Sequence, residues 1–305
     1  MNPIRPILLA MAGSPTWKRL LTGWSVTHRV VGRFIPGETL PEALEAVRQL
    51  NSDGMMATLN PLGENISNAD EAMVATDAYV EILEQIAVEQ LDCSLSLKLT
   101  LLGLDLNTEL ASTNLQRVLS KAAEHGNFVR IDMEGSEYVE ATLSVCESLR
   151  HRFHNFGVVL QSYLRRTEQD VEKLVPTGTP LRIVKGAYNE PEDVAFASKH
   201  DVDRNFACVL DRLAADDARG VRVAIASHDG ALVAHACELI DRLKLDGWEF
   251  QMLYGIGRPL QRQLVADGYS VRVYVSYGPS WYPWFMRRLA ERPANVGFFL
   301  RHLFG

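Results

Sequence analysis

The chain has 305 residues, of which 47% are hydrophobic and 23% charged, a composition typical of a globular protein with a large apolar core. Its formal net charge of −7 lacks the basic excess that nucleic-acid-binding proteins usually carry, so no nucleic-acid partner is expected. The four cysteines are widely spaced and form no CxxC pair, so the sequence indicates neither a disulfide framework nor a zinc site and favours reduced, buried thiols: Cys93, Cys146, Cys208 and Cys237.

Residues 1–48 are interpreted as an N-terminal helical segment and residues 49–305 as one catalytic domain. The segment contains a short apolar run from Ile7 to Ala12, which is too short to span a bilayer and is marginal even for a signal peptide. We therefore expect a cytoplasmic protein, with at most peripheral contact with the inner face of the membrane.

Eight short apolar runs succeed one another along the chain, each followed by a helical pattern. The runs lie near Met55 and at 93–102, 128–133, 157–161, 181–184, 221–226, 250–253 and 271–277. Near-continuous apolar strands that alternate with amphipathic helices predict a parallel sheet covered on its outer face. Eight such units fit a closed (β/α)8 barrel of the α/β class. An open doubly wound sheet is disfavoured, because no GxGxxG motif follows the first strand.

Polar residues at the ends of these strands are the first functional candidates, because the active site of such a barrel lies at the carboxyl ends of its strands. The second strand carries Lys98, which needs an anion if it points into the barrel; a lysine that extends outward from the rim is the alternative. Asp132 and Glu134 follow the third strand and share a face. They could bind a metal, but no histidine completes a ligand motif, so orientation of an arginine is the simpler role for Asp132.

The fourth to sixth strands end in further hydrogen-bonding groups. Gln161 could bind a heterocycle or cap the next helix. The fifth strand ends in RIVKGAY, where Arg182 and Lys185 precede small residues that let a planar or phosphorylated ligand approach the backbone. Lys185 could instead be the Schiff-base lysine of an aldolase. Ser227 and His228 end the sixth strand, where a histidine is either structural or part of a ligand site.

The stretch from Tyr274 to Pro293 ends the last strand and begins a helix that carries Arg287 and Arg288. In a helix that starts near Trp281, Trp284 lies beside both arginines, so a ring and two cations could line a pocket for a carboxylate. The alternative is a surface helix whose arginines pair with Glu291 and face water.

Taken together, these motifs resemble the proline dehydrogenase family over about residues 52–300. They occur in the family's order as SLKLT, RIDME, LQSY, RIVKGAY, Ser227-His228, EFQMLYG and RRLAERPAN. The resemblance implies a distorted (β/α)8 barrel that holds non-covalent FAD, with its final helix over the flavin and the substrate. It also implies that Arg287, Arg288 and Lys98 clamp the carboxylate of proline, and that Asp132 holds one of these arginines in place.

The resemblance assigns the remaining site residues to two groups. The apolar wall around the proline ring would comprise Ala187, Tyr188, Leu253 and Tyr274, with Trp284 beside the ring. The flavin would lie along Gln161, Arg182, Val184, Lys185, Gly186, Ser227, His228 and Glu291. No residue is assigned as a catalytic acid or base, and no metal is expected.

The implied reaction transfers a hydride from the proline ring to flavin N5 and yields Δ1-pyrroline-5-carboxylate. Re-oxidation by a quinone would bring transient membrane contact, and a separate pyrroline-5-carboxylate dehydrogenase would act downstream. A Schiff-base lyase that uses Lys185 or Lys98, and a barrel that binds an imino acid without catalysis, are the competing interpretations.

Three residues depart from the family pattern, and Tyr274 bears on the choice of substrate. Ser276 stands where a proline is common. Trp284 stands where the family usually has tyrosine, which would tighten or reshape the pocket. Asp229 stands where asparagine is expected and adds negative charge near the flavin, or else faces solvent. Tyr274 remains aromatic, so proline is expected to be preferred over 4-hydroxyproline.

Overall fold

The computed structural model describes residues 32–63, 66–215, 218 and 220–282. Eight parallel strands form a closed barrel in chain order, with the last strand paired to the first. This confirms the predicted (β/α)8 barrel. The strands are β1 Met56–Pro61, β2 Cys93–Leu97, β3 Val129–Ile131, β4 Phe156–Gln161, β5 Leu181–Val184, β6 Val223–Ala226, β7 Trp248–Leu253 and β8 Val271–Tyr277.

Helices surround the barrel at the positions that the sequence predicts. In chain order they are α1 Leu40–Ser52, α2 Ala69–Val88, α3 Thr108–Glu124, α4 Val139–Arg150, α5 Thr167–Leu174, α6 Lys199–Leu213, α7 Gly230–Leu243 and α8 Arg258–Ala266. Short 3-10 helices occur at Thr100–Leu102, Ser136–Tyr138 and Val175–Thr177. The final helix expected over the active site is predicted from near Trp281 onward, and its residues from 283 on lie outside the described residues.

The interior of the barrel is more polar than the near-continuous apolar strands of the prediction suggest. Leu95 and Leu97 on β2 belong to the apolar core between the sheet and the helices. Ser96, between them, accepts a hydrogen bond at 3.2 Å from Arg182 on β5, so this second face of β2 points across the barrel. Barrel interiors of this kind are normally filled by branched apolar side chains, and polar groups in their place must find partners.

Helix α1 joins the barrel core through one apolar face. It follows the irregular residues 35–39, and Thr39 and Glu42 form a capping box at its first turn. Its buried residues Ala43, Leu44 and Val47 belong to the same cluster as the strand leucines. The helix runs through residue 48, where the sequence suggests the end of the N-terminal segment. Residues 1–31 of that segment lie outside the described part of the chain.

Two expectations from the sequence are wrong. The second strand does not extend to Leu102, because the backbone turns into the αR region at Leu99 and continues as a 3-10 helix. The four thiols are free, but they are not all buried: Cys208 is exposed and Cys237 is half-buried. Cys208 lies on α6 next to the buried Val209 and Leu210, on the side of the helix that faces away from the core.

In the part of the chain that the structure describes, no helix combines the length and the apolarity that a membrane crossing requires.

Candidate active site

Asp132 is the centre of a hydrogen-bonded cluster at the carboxyl ends of the strands. It follows β3, and its carboxylate accepts hydrogen bonds from Ser96 Oγ at 2.8 Å, Arg182 Nη1 at 2.7 Å and Tyr274 Oη at 2.7 Å. These donors come from β2, β5 and β8, so barrel closure brings them together. Asp132 therefore orients an arginine, and among the described residues that arginine is Arg182.

Arg182 has its guanidinium fixed on one side and open on the other. The residue is 4% exposed, and its charged group lies 5.3 Å from the centre of the Tyr274 ring. Nη1 is bonded to Asp132 and Ser96, whereas the buried Nε and Nη2 have no hydrogen-bond partner among the described residues. Buried donors of a charged group are normally satisfied, so these atoms are suited to a ligand acceptor.

Tyr274 is held as a neutral hydrogen-bond donor. Burial raises the pKa of its phenol well above the usual range, and the nearby Asp132 carboxylate raises it further. The phenol therefore keeps its proton at neutral pH, and Tyr274 positions Asp132 rather than taking a proton from a substrate.

Gln161 and Glu134 form a second group beside Asp132. Gln161 is buried at the end of β4, and its amide nitrogen donates to the backbone carbonyl of Glu134 at 3.1 Å. The Gln161 Oε1 atom is buried with no partner in the described structure. The Glu134 carboxylate accepts from Thr100 Oγ1 at 2.7 Å, and burial raises its pKa, with the Thr100 bonds and the Lys98 charge acting in the opposite direction. Sequence reasoning missed Thr100 as a partner, because it placed this residue on the second strand.

Lys98 lies at the rim of the same group. Its side chain is half-buried, and it makes no ion pair within 4 Å with any residue that the structure describes. Its positive charge favours the ionised form of Glu134 and so lowers the pKa of that carboxyl against the larger effect of burial. This cation remains available to a ligand carboxylate.

Lys185 belongs to a cluster of alternating charges that sequence reasoning did not find. Its ammonium lies 2.5 Å from Asp203 and 2.9 Å from Asp229, and Lys199 pairs with both carboxylates. The hydrogen bond from Lys185 is the main cause that holds the pKa of Asp229 well below its usual range, against a smaller effect of burial, and Lys199 contributes in the same direction. The negative charge of Asp229 is thus compensated by neighbouring lysines, while its side chain also caps α7 by accepting from Ala231 N.

The loop after β5 is shaped by a glycine that packs against an aromatic ring. Gly186 has φ +110°, and a Cβ atom there would lie 2.2 Å from the ring of Tyr163. Val184 is half-buried before it, whereas Ala187 is exposed and Tyr188 is 41% exposed. Ala187 and Tyr188, which the resemblance assigns to the apolar wall around the proline ring, are therefore exposed in the described part of the structure.

His228 and Ser227 hold the turn after β6. The Nε2 atom of His228 accepts a hydrogen bond from the backbone N–H of Leu253 at 3.0 Å, so a neutral ring carries its proton on Nδ1. Ser227 Oγ accepts from the backbone N–H of Asp229 at 3.1 Å. The contact of His228 brings the predicted cofactor residues after β6 next to Leu253, a predicted substrate residue on β7.

Four of the predicted site residues lie outside the described residues. They are Trp284, Arg287, Arg288 and Glu291.

A family model for proline dehydrogenase matches residues 43–301 of the chain. The chain belongs to the proline dehydrogenase family. Proline dehydrogenase 1 of Bacillus subtilis subsp. natto is 38% identical over 300 residues, which cover 98% of each chain. The proline dehydrogenase of Deinococcus radiodurans is 37% identical over 304 residues, which cover 96% of each. These matches confirm the resemblance seen in the motifs and place the chain among the oxidoreductases.

Longer relatives contain the proline dehydrogenase fold as a part. Proline utilization A from Bdellovibrio bacteriovorus, in a structure inactivated by N-propargylglycine, has a TM-score of 0.82 and 25% identity to this chain. The match covers 95% of this chain and 37% of that protein. The bifunctional protein PutA of Escherichia coli is 26% identical over 337 residues, which cover 95% of this chain and 25% of PutA.

Proposed function

We propose that the protein oxidises L-proline to Δ1-pyrroline-5-carboxylate with FAD as its bound cofactor and a quinone as the final electron acceptor. Family membership supports the reaction class. The observation that carries the proposal is the buried guanidinium of Arg182, which Asp132, Ser96 and Tyr274 hold in place while Nε and Nη2 stay open to a ligand.

The donors and acceptors at the strand ends fit a flavin. The ring system of a flavin carries both acceptor atoms and an N–H donor, which complement the open donors of Arg182 and the open Oε1 of Gln161. Val184, Lys185, Gly186, Ser227 and His228 would complete the cofactor site, together with Glu291 beyond the described residues. When bound, FAD supplies a two-electron acceptor for the hydride that leaves the ring carbon next to the proline nitrogen. The positive charge of Arg182 favours an electron-rich ligand at this position.

The substrate carboxylate would be bound by Lys98 with Arg287 and Arg288. Lys98 has no competing ion pair in the described structure, and paired guanidinium groups bind a carboxylate with two parallel hydrogen bonds. Tyr274 and Leu253, with Ala187, Tyr188 and Trp284, would enclose the ring. Since Asp132 already accepts three hydrogen bonds and Tyr274 stays protonated, neither is assigned the removal of the amine proton, and water is the proton acceptor.

A Schiff-base lyase is the less supported function. A lysine that attacks a carbonyl needs a free amine, and the side-chain nitrogen of Lys185 is engaged in ion pairs with Asp203 and Asp229. Treatment with borohydride in the presence of a carbonyl substrate would trap an adduct on Lys185 or Lys98 if the lyase chemistry occurred. We expect no such adduct.

The proposed partners are a membrane quinone, reached by transient contact with the membrane surface, and a separate dehydrogenase that consumes the product.

A steady-state assay with a soluble quinone tests the proposed function. We expect quinone reduction that depends on both L-proline and FAD, with much slower turnover of 4-hydroxyproline. A protein that carries FAD but reduces no quinone with proline would contradict the proposed reaction, and preferential turnover of 4-hydroxyproline would contradict the proposed substrate.

A further inference from the structure

A cavity of about 80 Å³ lies at the end of the barrel opposite to the candidate active site. Its lining comes from the first residues of the strands, such as Ser94 at the second position of β2 and Arg130 at the second position of β3. Arginines dominate its charge: the charged residues that line it are Arg130, Arg182, Arg222, Arg272 and Glu249. In the described structure it thus presents four guanidinium groups and one carboxylate.

Two of the four arginines have a carboxylate partner and two do not. Arg272 pairs with Glu249 at 2.9 Å, and Arg182 pairs with Asp132 at 2.7 Å. Arg130 and Arg222 make no ion pair within 4 Å among the described residues. Arg130 is therefore a buried guanidinium without an ion pair among the described residues, and Arg222 is an exposed one beside it.

Arg130 is the residue that most requires an anion. It is 5% exposed, and its Nη1 donates to the backbone carbonyls of Pro180 at 2.8 Å and Val158 at 3.2 Å. Its buried Nε has no partner within the described residues. Burial, and then the charge of Arg182, lower the pKa of Arg130, while the Glu249 carboxylate acts in the opposite direction. A buried charge without a counter-charge is strongly destabilising.

A second, more open pocket adjoins this cavity. The two share Phe128 and Arg222, and the open pocket is also lined by Arg152 and His154. The guanidinium groups of Arg130 and Arg222 lie 4.9 Å and 4.7 Å from the centre of the Phe128 ring, so both make cation–π contacts with it. The open pocket, of about 590 Å³, adds further basic groups beside the cavity.

We propose that the amino-terminal end of the barrel binds a small inorganic oxyanion of the size and shape of phosphate or sulfate. A cavity of about 80 Å³ has room for about two to three waters or one tetrahedral oxyanion. Guanidinium groups bind tetrahedral oxyanions through paired hydrogen bonds, and Arg130 and Arg222 supply such donors from one side of the cavity. Arg182 contributes to both this cavity and the candidate active site, whereas Arg130, Arg222 and Arg272 contribute to the cavity alone. The proposed anion site therefore does not require the proposed oxidation of proline.

Thermal unfolding of the purified full-length protein, with the flavin it carries, tests the proposal. Sodium chloride is replaced stepwise by sodium phosphate at constant ionic strength and pH, and calorimetry measures binding of inorganic phosphate. We expect a saturable rise in Tm and one phosphate bound per chain. An unsaturable response, or no response, would overturn the proposed site.

A matched pair of variants shows whether the anion binds at this cavity. Arg222→Ala removes an exposed guanidinium at the mouth, so the variant is expected to fold, and phosphate binding should weaken at least 10-fold. Arg242→Ala removes an exposed arginine on α7 that lies outside the cavity and should leave binding unchanged. The flavin absorbance should not change on phosphate addition in either variant. Equal phosphate affinity in Arg222→Ala and the unmodified protein would locate binding elsewhere and refute the proposal.

Discussion

Asp132 shows at the scale of a single residue how the barrel creates a defined orientation. Its carboxylate accepts hydrogen bonds from side chains on three strands. Because Nη1 of Arg182 is held by Asp132, only Nε and Nη2 of that guanidinium can bind a ligand. The side chain of Asp132 is 13% exposed, so water screens these contacts weakly. We infer that Asp132 acts through Arg182, as a positioning residue.

Replacing Asp132 by asparagine keeps its size but removes the charge that holds Arg182. We expect Asp132→Asn to lower kcat/KM for proline by about 10- to 100-fold, because the buried guanidinium loses a charge-assisted hydrogen bond.

Tyr274→Phe removes only one hydrogen bond to the same carboxylate and should lower kcat/KM by about 2- to 10-fold. Steady-state kinetics with a parallel measurement of FAD affinity would check both values. Activity of Asp132→Asn within twofold of the unmodified protein would remove Asp132 from this role.

Asp229 offers a test of the charge cluster around Lys185. Asparagine at this position can still cap α7 through its side-chain oxygen, so Asp229→Asn isolates the charge from the cap. The pKa of Asp229 is lower in the folded protein than in the unfolded chain. The ionised carboxylate therefore stabilises the fold fully above the unfolded-state pKa of about 3.9. This stabilisation is lost as the pH falls below that value. We expect the variant to be less stable by about 0.5–1 kcal/mol from about pH 5 to pH 8.

Tm measured across pH checks the Asp229 prediction. The difference between the two proteins should stay constant at neutral pH and shrink below about pH 4. A difference that grows on acidification would show that the lysines do not stabilise the ionised form of Asp229.

At the scale of the elements, the loops after the strands place the site residues. The backbone after β5 must turn sharply so that Lys185 points toward α6 while the ring of Tyr163 fills the space beside Gly186. A left-handed backbone at a glycine allows both, because no Cβ atom intervenes. The small residue that the sequence suggested as room for a ligand thus also makes room for Tyr163.

Two glycine substitutions separate the steric effect at Gly186 from backbone strain. Gly178 also has a positive φ, of +63°, but nothing lies within 4 Å of a Cβ atom built there. We expect Gly178→Ala to destabilise the protein by about 1 kcal/mol and Gly186→Ala by about 2–4 kcal/mol, because the latter also clashes with Tyr163. Urea unfolding would measure both changes. Equal losses of stability would mean that Tyr163 moves aside at little cost.

The strands of the barrel and the residues at their carboxyl ends could largely be predicted from the sequence. The alternation of apolar runs and helical patterns predicted the eight strands of the barrel, and the strand-end rule selected Asp132 and Arg182. The end of β2 was missed because Leu99, Leu101 and Leu102 are as apolar and buried as the strand itself. Periodicity reports burial, and a buried 3-10 turn resembles a buried strand in this respect.

Contacts between distant elements were not readable in the same way. Lys199 and Asp203 are one turn apart on α6, which predicts a helix-surface pair and nothing more. Their contact with Lys185 and Asp229 depends on how α6 and α7 pack around β5 and β6. Single-sequence patterns carry no information on that packing.

At the scale of the whole molecule, one arginine ties together the strands where the barrel closes. Arg272 on β8 pairs with Glu249 on β7 and donates to the carbonyl of Ala57 on β1 at 2.9 Å. Both charged side chains are largely buried. The pair therefore links three adjacent strands across the seam between the last strand and the first.

Removing Arg272 should leave the buried Glu249 carboxylate without its ion-pair partner, while the amide of Gln251 still donates to it. We expect Arg272→Met to destabilise the fold by about 3–5 kcal/mol in urea unfolding, and the double variant Glu249→Gln with Arg272→Met to recover part of that loss. Arg242→Met, at an exposed pair, should change stability by less than about 0.5 kcal/mol. No recovery in the double variant would show that Arg272 acts through packing and its bond to β1, not through charge.

The central claim is that the strand ends hold a flavin which proline reduces directly, and anaerobic titration of the purified protein with L-proline tests it most directly. We expect the flavin absorbance to bleach fully, with one pyrroline-5-carboxylate formed per flavin reduced. A protein reconstituted with FAD whose absorbance does not change with proline would contradict the account.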